Sequence, residues 1–144
     1  MKKMLLSAAF LAAMTSVSAQ KLTYVPYADN GYLMGTYISS DGRYIAGGDA
    51  GGQGFIYATQ NGQIKYFVSP ENGDETKDAS TEVRAVNPDG TGVGYVGDKL
   101  CKFDFNTGEY TDLGVNEPAL ANTMSTDGSV IGGYAWDEST YMQH

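Results

Sequence analysis

The chain has 144 residues, 42% of them hydrophobic, with 19 glycines, 1 cysteine, 1 histidine and a formal net charge of −8. That acidic balance repels phosphate backbones and anionic lipid, so the expectation is no nucleic acid partner and no membrane-surface docking. Cys101 stands alone in the sequence, which excludes a framework of intramolecular disulfides.

Residues 1–19 read as an address and not as part of the fold. Lys2 and Lys3 give a basic start, Met4 to Met14 form an apolar core too short to span a bilayer, and Val17-Ser18-Ala19 supply small residues for cleavage before Gln20. The expectation is a Sec-type signal peptide and a bacterial protein exported to the periplasm, the cell surface or the medium. Glutamine in place of cysteine after the cleavage site argues against a lipoprotein anchor. Residues 20–33 form an N-terminal segment with one stray strand, Leu22 to Tyr27, and no transmembrane segment is expected in the mature chain.

From Met34 onward the chain repeats itself. Ile38-Ser39-Ser40-Asp41-Gly42, Val86-Asn87-Pro88-Asp89-Gly90 and Met124-Ser125-Thr126-Asp127-Gly128 follow one pattern, and each leads into a short apolar run with glycine. A period of about forty residues marks a repeat architecture. Asp41-Gly42, Asp89-Gly90 and Asp127-Gly128 predict two-residue type I′ hairpin turns, because aspartate and glycine tolerate positive φ. Ser39, Asn87 and Ser125, two residues earlier, are placed to bond nearby backbone amides.

Second strands are predicted at Arg43 to Gly47, Thr91 to Tyr95 and Ser129 to Gly133. Gly54 to Ala58 is apolar on both faces and must be covered on both sides, and Leu100 to Phe105 is its counterpart. In the latter, alternation puts Cys101, Phe103 and Phe105 on one face, so the thiol is expected to pack as a buried apolar group. Asn61-Gly62 and Thr107-Gly108 turn the chain into fourth strands, Gln63 to Val68 and Glu109 to Leu113. Ser69 to Thr81 reads as a longer, acidic loop between repeats.

Four short antiparallel strands per repeat predict an all-β fold built from β-propeller blades. Residues 34–144 would form an incomplete propeller of about two and a half blades, with repeats near 34–68, 82–114 and 119–144. Glycines within strands, among them Gly47, Gly48, Gly94, Gly97, Gly132 and Gly133, would answer crowding of inner strands near an axis. Aromatic residues such as Tyr44, Phe55, Tyr57, Tyr66, Phe103, Phe105, Tyr110 and Trp136 would fill the wedge between blades. Closed propellers take four to eight blades, so the chain reads as part of a longer protein or as one that assembles with copies of itself.

Ala121-Asn122-Thr123-Met124-Ser125-Thr126-Asp127-Gly128-Ser129-Val130-Ile131-Gly132-Gly133, with Gly108-Glu109-Tyr110-Thr111-Asp112-Leu113-Gly114, resembles the HAF-type extracellular repeat of secreted bacterial proteins. Ala85, Asn87, Asp89, Gly90 and Val93, and Ser39, Asp41, Gly42, Ile45 and Gly47, are similar to it in more degenerate form. Asn87-Pro88-Asp89-Gly90 also resembles the repeats of TolB-like propellers. The resemblance implies a propeller and an extracytoplasmic address, and it transfers no catalytic residue.

Chemistry-bearing motifs are scarce. The sole histidine is the last residue, and no nucleophile elbow, zinc-protease helix or Cys/His metal spacing is present. No catalytic, cofactor-binding or metal residue is nominated. Glu71 to Asp78 gathers carboxylates that suit calcium, yet lacks the order of an EF-hand loop, and a solvated acidic loop is the plainer reading. Tyrosines and Trp136 could stack beneath sugar rings. The expected function is a secreted or surface module that binds a protein or glycan, the alternatives being a structural module or part of a propeller enzyme of glycoside hydrolase or lyase type.

Overall fold

The computed structural model describes residues 33–49, 51–68, 70–71, 74–115, 118–137 and 142–143. The expected signal peptide, the strand at Leu22 to Tyr27, and the side chains of Glu71 to Asp78 and of Trp136 lie outside the described residues.

All regular structure among these residues is β. The first sheet is a meander of β1 (Leu33–Ile38), β2 (Tyr44–Asp49), β3 (Gly54–Ala58) and β4 (Ile64–Phe67), each antiparallel to the next. A small hairpin follows, β5 (Pro70–Glu71) with β6 (Asp74–Asp78), where the sequence suggested only a loop. The second meander comprises β7 (Thr81–Val86), β8 (Thr91–Val96), β9 (Lys99–Asp104) and β10 (Glu109–Asp112). A third sheet joins β11 (Ala119–Met124), β12 (Ile131–Asp137) and β13 (Met142–Gln143).

One irregularity recurs at the same place in each of the three larger sheets. The first strand carries an extra residue against the second, between Gly35 and Tyr37, between Val83 and Ala85, and between Ala121 and Thr123. A β-bulge of this kind leaves one residue unpaired and tilts the strand. The residues opposite are Gly47, Gly94 and Gly133. A Cβ added at Gly94 would lie 1.9 Å from the Glu82 carbonyl oxygen, and one at Gly133 would lie 2.1 Å from that of Leu120. Gly94 and Gly133 therefore answer crowding within their own sheets, by the bulged neighbour, whereas a Cβ added at Gly48 would face the second sheet, 3.6 Å from the Thr81 carbonyl oxygen.

The hairpin turns also differ from the two-residue type I′ form. Gly42, Gly90 and Gly128 donate their amides to the carbonyls of Ser39, Asn87 and Ser125, at 2.9, 3.0 and 2.9 Å. Each turn thus runs from Ser or Asn to Gly, with aspartate third and glycine fourth at positive φ. Asn or Ser first, proline second and glycine fourth suit a type I turn, which Asn87-Pro88-Asp89-Gly90 satisfies throughout. Asp-Gly is compatible with both turn types, so the dipeptide located the turns without fixing their geometry. A two-residue turn does occur, at Gly97-Asp98 between β8 and β9, so Gly97 belongs to a turn and not to a strand.

The main core lies between the first two sheets. Ala46, Ile56, Ala58 and Phe67 from one side meet Val83, Cys101, Phe103 and Phe105 from the other, all buried. Phe67 and Phe103 meet edge-on at 4.9 Å between ring centroids, as do Tyr44 and Phe105 at 5.2 Å. All five residues of β3 are buried, as its two apolar faces require. Cys101 is buried and unbridged, and burial together with the Asp112 charge pushes its thiol up to about 11.

Thr81 locks the sheets at the opposite end from the Asp-Gly turns. Its hydroxyl donates to the Phe67 carbonyl at 2.7 Å and accepts the Gly54 amide, while its own amide donates to the Gly52 carbonyl at 2.7 Å. β7 lies against β1, β2 and β3, and β11 lies in the same relation against β7, β8 and β9. The second sheet thus meets the first, and the third meets the second, through its own first strand.

Candidate functional site

The three first strands converge at their turn ends, and an open groove of about 300 Å³ lies there. Its walls are equivalent segments of the three sheets: Tyr37 to Ser40, Arg84 to Pro88, and Asn122 to Thr126. The bulges shape it, since Arg84 and Asn122 are the extra residues of β7 and β11. Freed from pairing, these two side chains meet, and Arg84 Nη1 donates to Asn122 Oδ1 at 3.0 Å.

Arg84 is held on three sides. Nε donates to Glu82 Oε2 at 2.9 Å, and the guanidinium carbon stands 5.3 Å from the centre of the Tyr95 ring. Partial burial pulls the guanidinium down, but the Glu82 bond and charge outweigh it and the group is driven above its usual range. Tyr95 moves up as well, through burial first and the Glu82 carboxylate second. The cation is thereby fixed in orientation, and a planar fork of donors faces the groove.

Of the turn residues singled out in the sequence only Asn87 lines the groove, and the eight Asp-Gly and Asn-Gly residues lie beside it. Ser40, Pro88 and Thr126, each immediately before a turn aspartate, line the groove, while Asp41, Asp89 and Asp127 spend their carboxylates within the turns. Asp41 Oδ1 accepts the Ser39 hydroxyl at 2.8 Å and the Arg43 amide at 3.1 Å, and its other oxygen pairs with the Arg43 side chain. Asp127 Oδ1 accepts the Ser125 hydroxyl at 2.6 Å and the Ser129 amide at 3.1 Å. Ser39 and Ser125 then receive the amides of Tyr44 and Val130, at 3.0 and 2.9 Å. Asn61-Gly62 sits at the same end but farther out, with Asn61 Oδ1 accepting the Gln63 amide, and Thr59 of that loop donating to the Gly42 carbonyl at 2.8 Å. These aspartates and Asn61 build the turns, and none of them is among the residues lining the groove.

Sequence reasoning missed Arg84 and Asn122. In a strand pattern Arg84 reads as one more outward polar residue, but a signal was present: Thr36, Arg84 and Asn122 stand at the same offset before their turn aspartates. Among the described residues no cluster of three or more His, Cys, Asp or Glu side chains is arranged to hold a metal ion. No described helix is long and apolar enough to cross a membrane.

The chain matches no family model, no curated protein and no solved structure, so its own geometry must carry the reading.

Proposed function

We propose that the chain is an exported β-propeller module that binds a glycan in the groove where the first strands of its sheets converge. The observation that carries this is the repeated step between sheets. β7 meets the first sheet as β11 meets the second, each with the same bulge and the same opposing glycine. Sheets that repeat one contact pattern, one bulge and one opposing glycine are what a radial stack of blades calls for. The HAF-type pattern and the export signal belong to the same proposal.

A glycan suits the groove chemically. Residues with amide, hydroxyl, phenol and guanidinium groups gather there on strands and hairpin turns, and sugar recognition needs such fixed polar groups. The aspartates nearest the groove are engaged by their own turns, which favours recognition over a carboxylate-pair hydrolase.

Two measurements test the proposal. An experimentally determined structure should show β1, β7 and β11 side by side around one axis, and a two-layer sandwich with these strands apart would overturn the propeller. Glycan-array screening of the exported protein should return a related set of ligands whose binding weakens in Asn122→Ala. An array without hits would overturn the glycan reading.

A further inference from the structure

We infer that the ligand in this groove is an acidic glycan whose carboxylate is read by Arg84. The inference rests on the glycan reading above and narrows it to one chemical class.

The groove sets a cation, ion-paired with Glu82, in the wall of an otherwise acidic molecule. The chain carries 17 acidic residues against 9 basic ones, yet among the described residues Arg84 is the one charged side chain lining the groove, and no carboxylate lines it. Glu82, which orients the guanidinium through Nε, is not part of the wall. Arginine presents five donors in a fork that matches a carboxylate, and the bonds to Glu82 and Asn122 use two of them. An anion arriving here meets a cation already oriented by Glu82, Asn122 and the Tyr95 ring, so little ordering remains to be done on binding.

The surroundings favour sugar over peptide as the source of that carboxylate. Tyr37, Ser40, Asn122, Thr123 and Thr126 add neutral donors and acceptors to the same wall. One carboxylate among many hydroxyls is the chemistry of a uronic or sialic acid residue. An acidic peptide offers carboxylates in series with few hydroxyls, and would call for several cations where the groove has one.

The test is an array of uronate-containing, sialylated and neutral glycans, with a hexaglutamate peptide as the rival anion. The strongest hits are then titrated calorimetrically with the whole exported protein. Expected is a set of hits confined to carboxylated glycans, binding that weakens as salt is raised, and a loss of about ten-fold or more in Arg84→Gln. Arg84→Lys should recover part of the affinity by restoring the charge without the fork. Arg84 also ties Glu82 to Asn122, so folding of each variant is checked by thermal melting. Asn122→Asp serves as an independent variant, because it keeps a partner for Arg84 and places a competing carboxylate in the groove. It should melt no lower than the parent and lose acidic ligand by a similar factor.

Hits confined to neutral glycans, or acidic hits indifferent to both Arg84→Gln and Asn122→Asp, would overturn this inference and leave glycan binding standing. Hexaglutamate binding without any glycan hit overturns it in favour of a peptide partner. An array with no binder of either kind removes the glycan reading and this one together.

Discussion

The second and third sheets use the same strand grammar and reach different degrees of burial. In the second, Val83, Val93, Cys101 and Phe103 are at most 1% exposed, and its aromatic rings interlock with those of the first sheet. In the third, Ala119 and Ala121 are the buried apolar side chains of β11, Ile131 and Tyr134 are half-buried, and Val130 at the end of the turn is 64% exposed. Turn, bulge and opposing glycine are common to both, so these devices set the shape of a sheet while face-to-face packing of aromatic residues sets its stability. The third sheet is shaped like its neighbours but fastened mainly along β11.

Removing an interlocking ring should give the largest effect. Phe103→Ala deletes a fully buried side chain that packs edge-on against Phe67, and large-to-small changes of this kind cost about 3–5 kcal/mol. Ile131→Ala in the third sheet removes less from a half-buried site and should cost under about 1.5 kcal/mol. Urea denaturation of the two variants measures the contrast, and equal losses would mean that the third sheet is as firmly packed as the second. Next in size is Gly94→Ala, which sets a methyl group against the Glu82 carbonyl and requires the bulge to rearrange, at about 3 kcal/mol or more. Gly133→Ala meets the same obstruction against Leu120. The lower burial of the third sheet predicts easier local opening, so its strain should appear in amide hydrogen exchange of β11 and β12 before it appears in global unfolding.

How much of this could be read from residues alone differs from feature to feature. The face shared by Cys101, Phe103 and Phe105 was legible, because strand alternation has one period and needs no partner to be seen. The order of strands within each meander followed from turn residues for the same reason. The bulges were not legible: register is a property of two strands together, and Val83-Arg84-Ala85 contains nothing unusual until β8 is laid beside it. Gly94 could be recognised as out of place in a strand, but the obstruction it relieves is the backbone of Glu82, which no side-chain pattern reports. The groove was hidden by the same gap, since Arg84 and Asn122 are brought together by bulges on separate sheets. The turns show a middle case, in which Asp-Gly marked the position and hydrogen bonding chose the type.

Thr81 sharpens the comparison at the opposite end of the first two sheets. Its hydroxyl joins the Phe67 carbonyl to the Gly54 amide, and valine has the same shape without the hydroxyl. Thr81→Val leaves a buried carbonyl and a buried amide without that partner, and should cost about 1–3 kcal/mol in urea denaturation. A neutral result would mean that packing between the sheets suffices without this clip.

The smallest expected effect separates the turns by pH. Asp41 is pushed up by partial burial, but the Arg43 amide and side chain and the Ser39 hydroxyl prevail and hold its carboxyl at about 2, against an ordinary 3.8. In Asp127 the bonds from Ser125 and Ser129 lower the carboxyl to about 2 as well. A carboxyl whose folded value lies below its unfolded one binds fewer protons when folded, so the stability it adds is present in full above about pH 4 and is lost as pH falls toward 2. Both groups are open to solvent, so each contribution is small and is weakened by salt. Chemical-shift titration of the two carboxyls should give midpoints below the ordinary value, and Ser125→Ala should return the Asp127 midpoint toward it while leaving Asp41 unmoved. If Ser125→Ala shifted neither midpoint, the seryl bond at the head of the turn would not be what holds the charge, and the amide and hydroxyl of Ser129 would carry it.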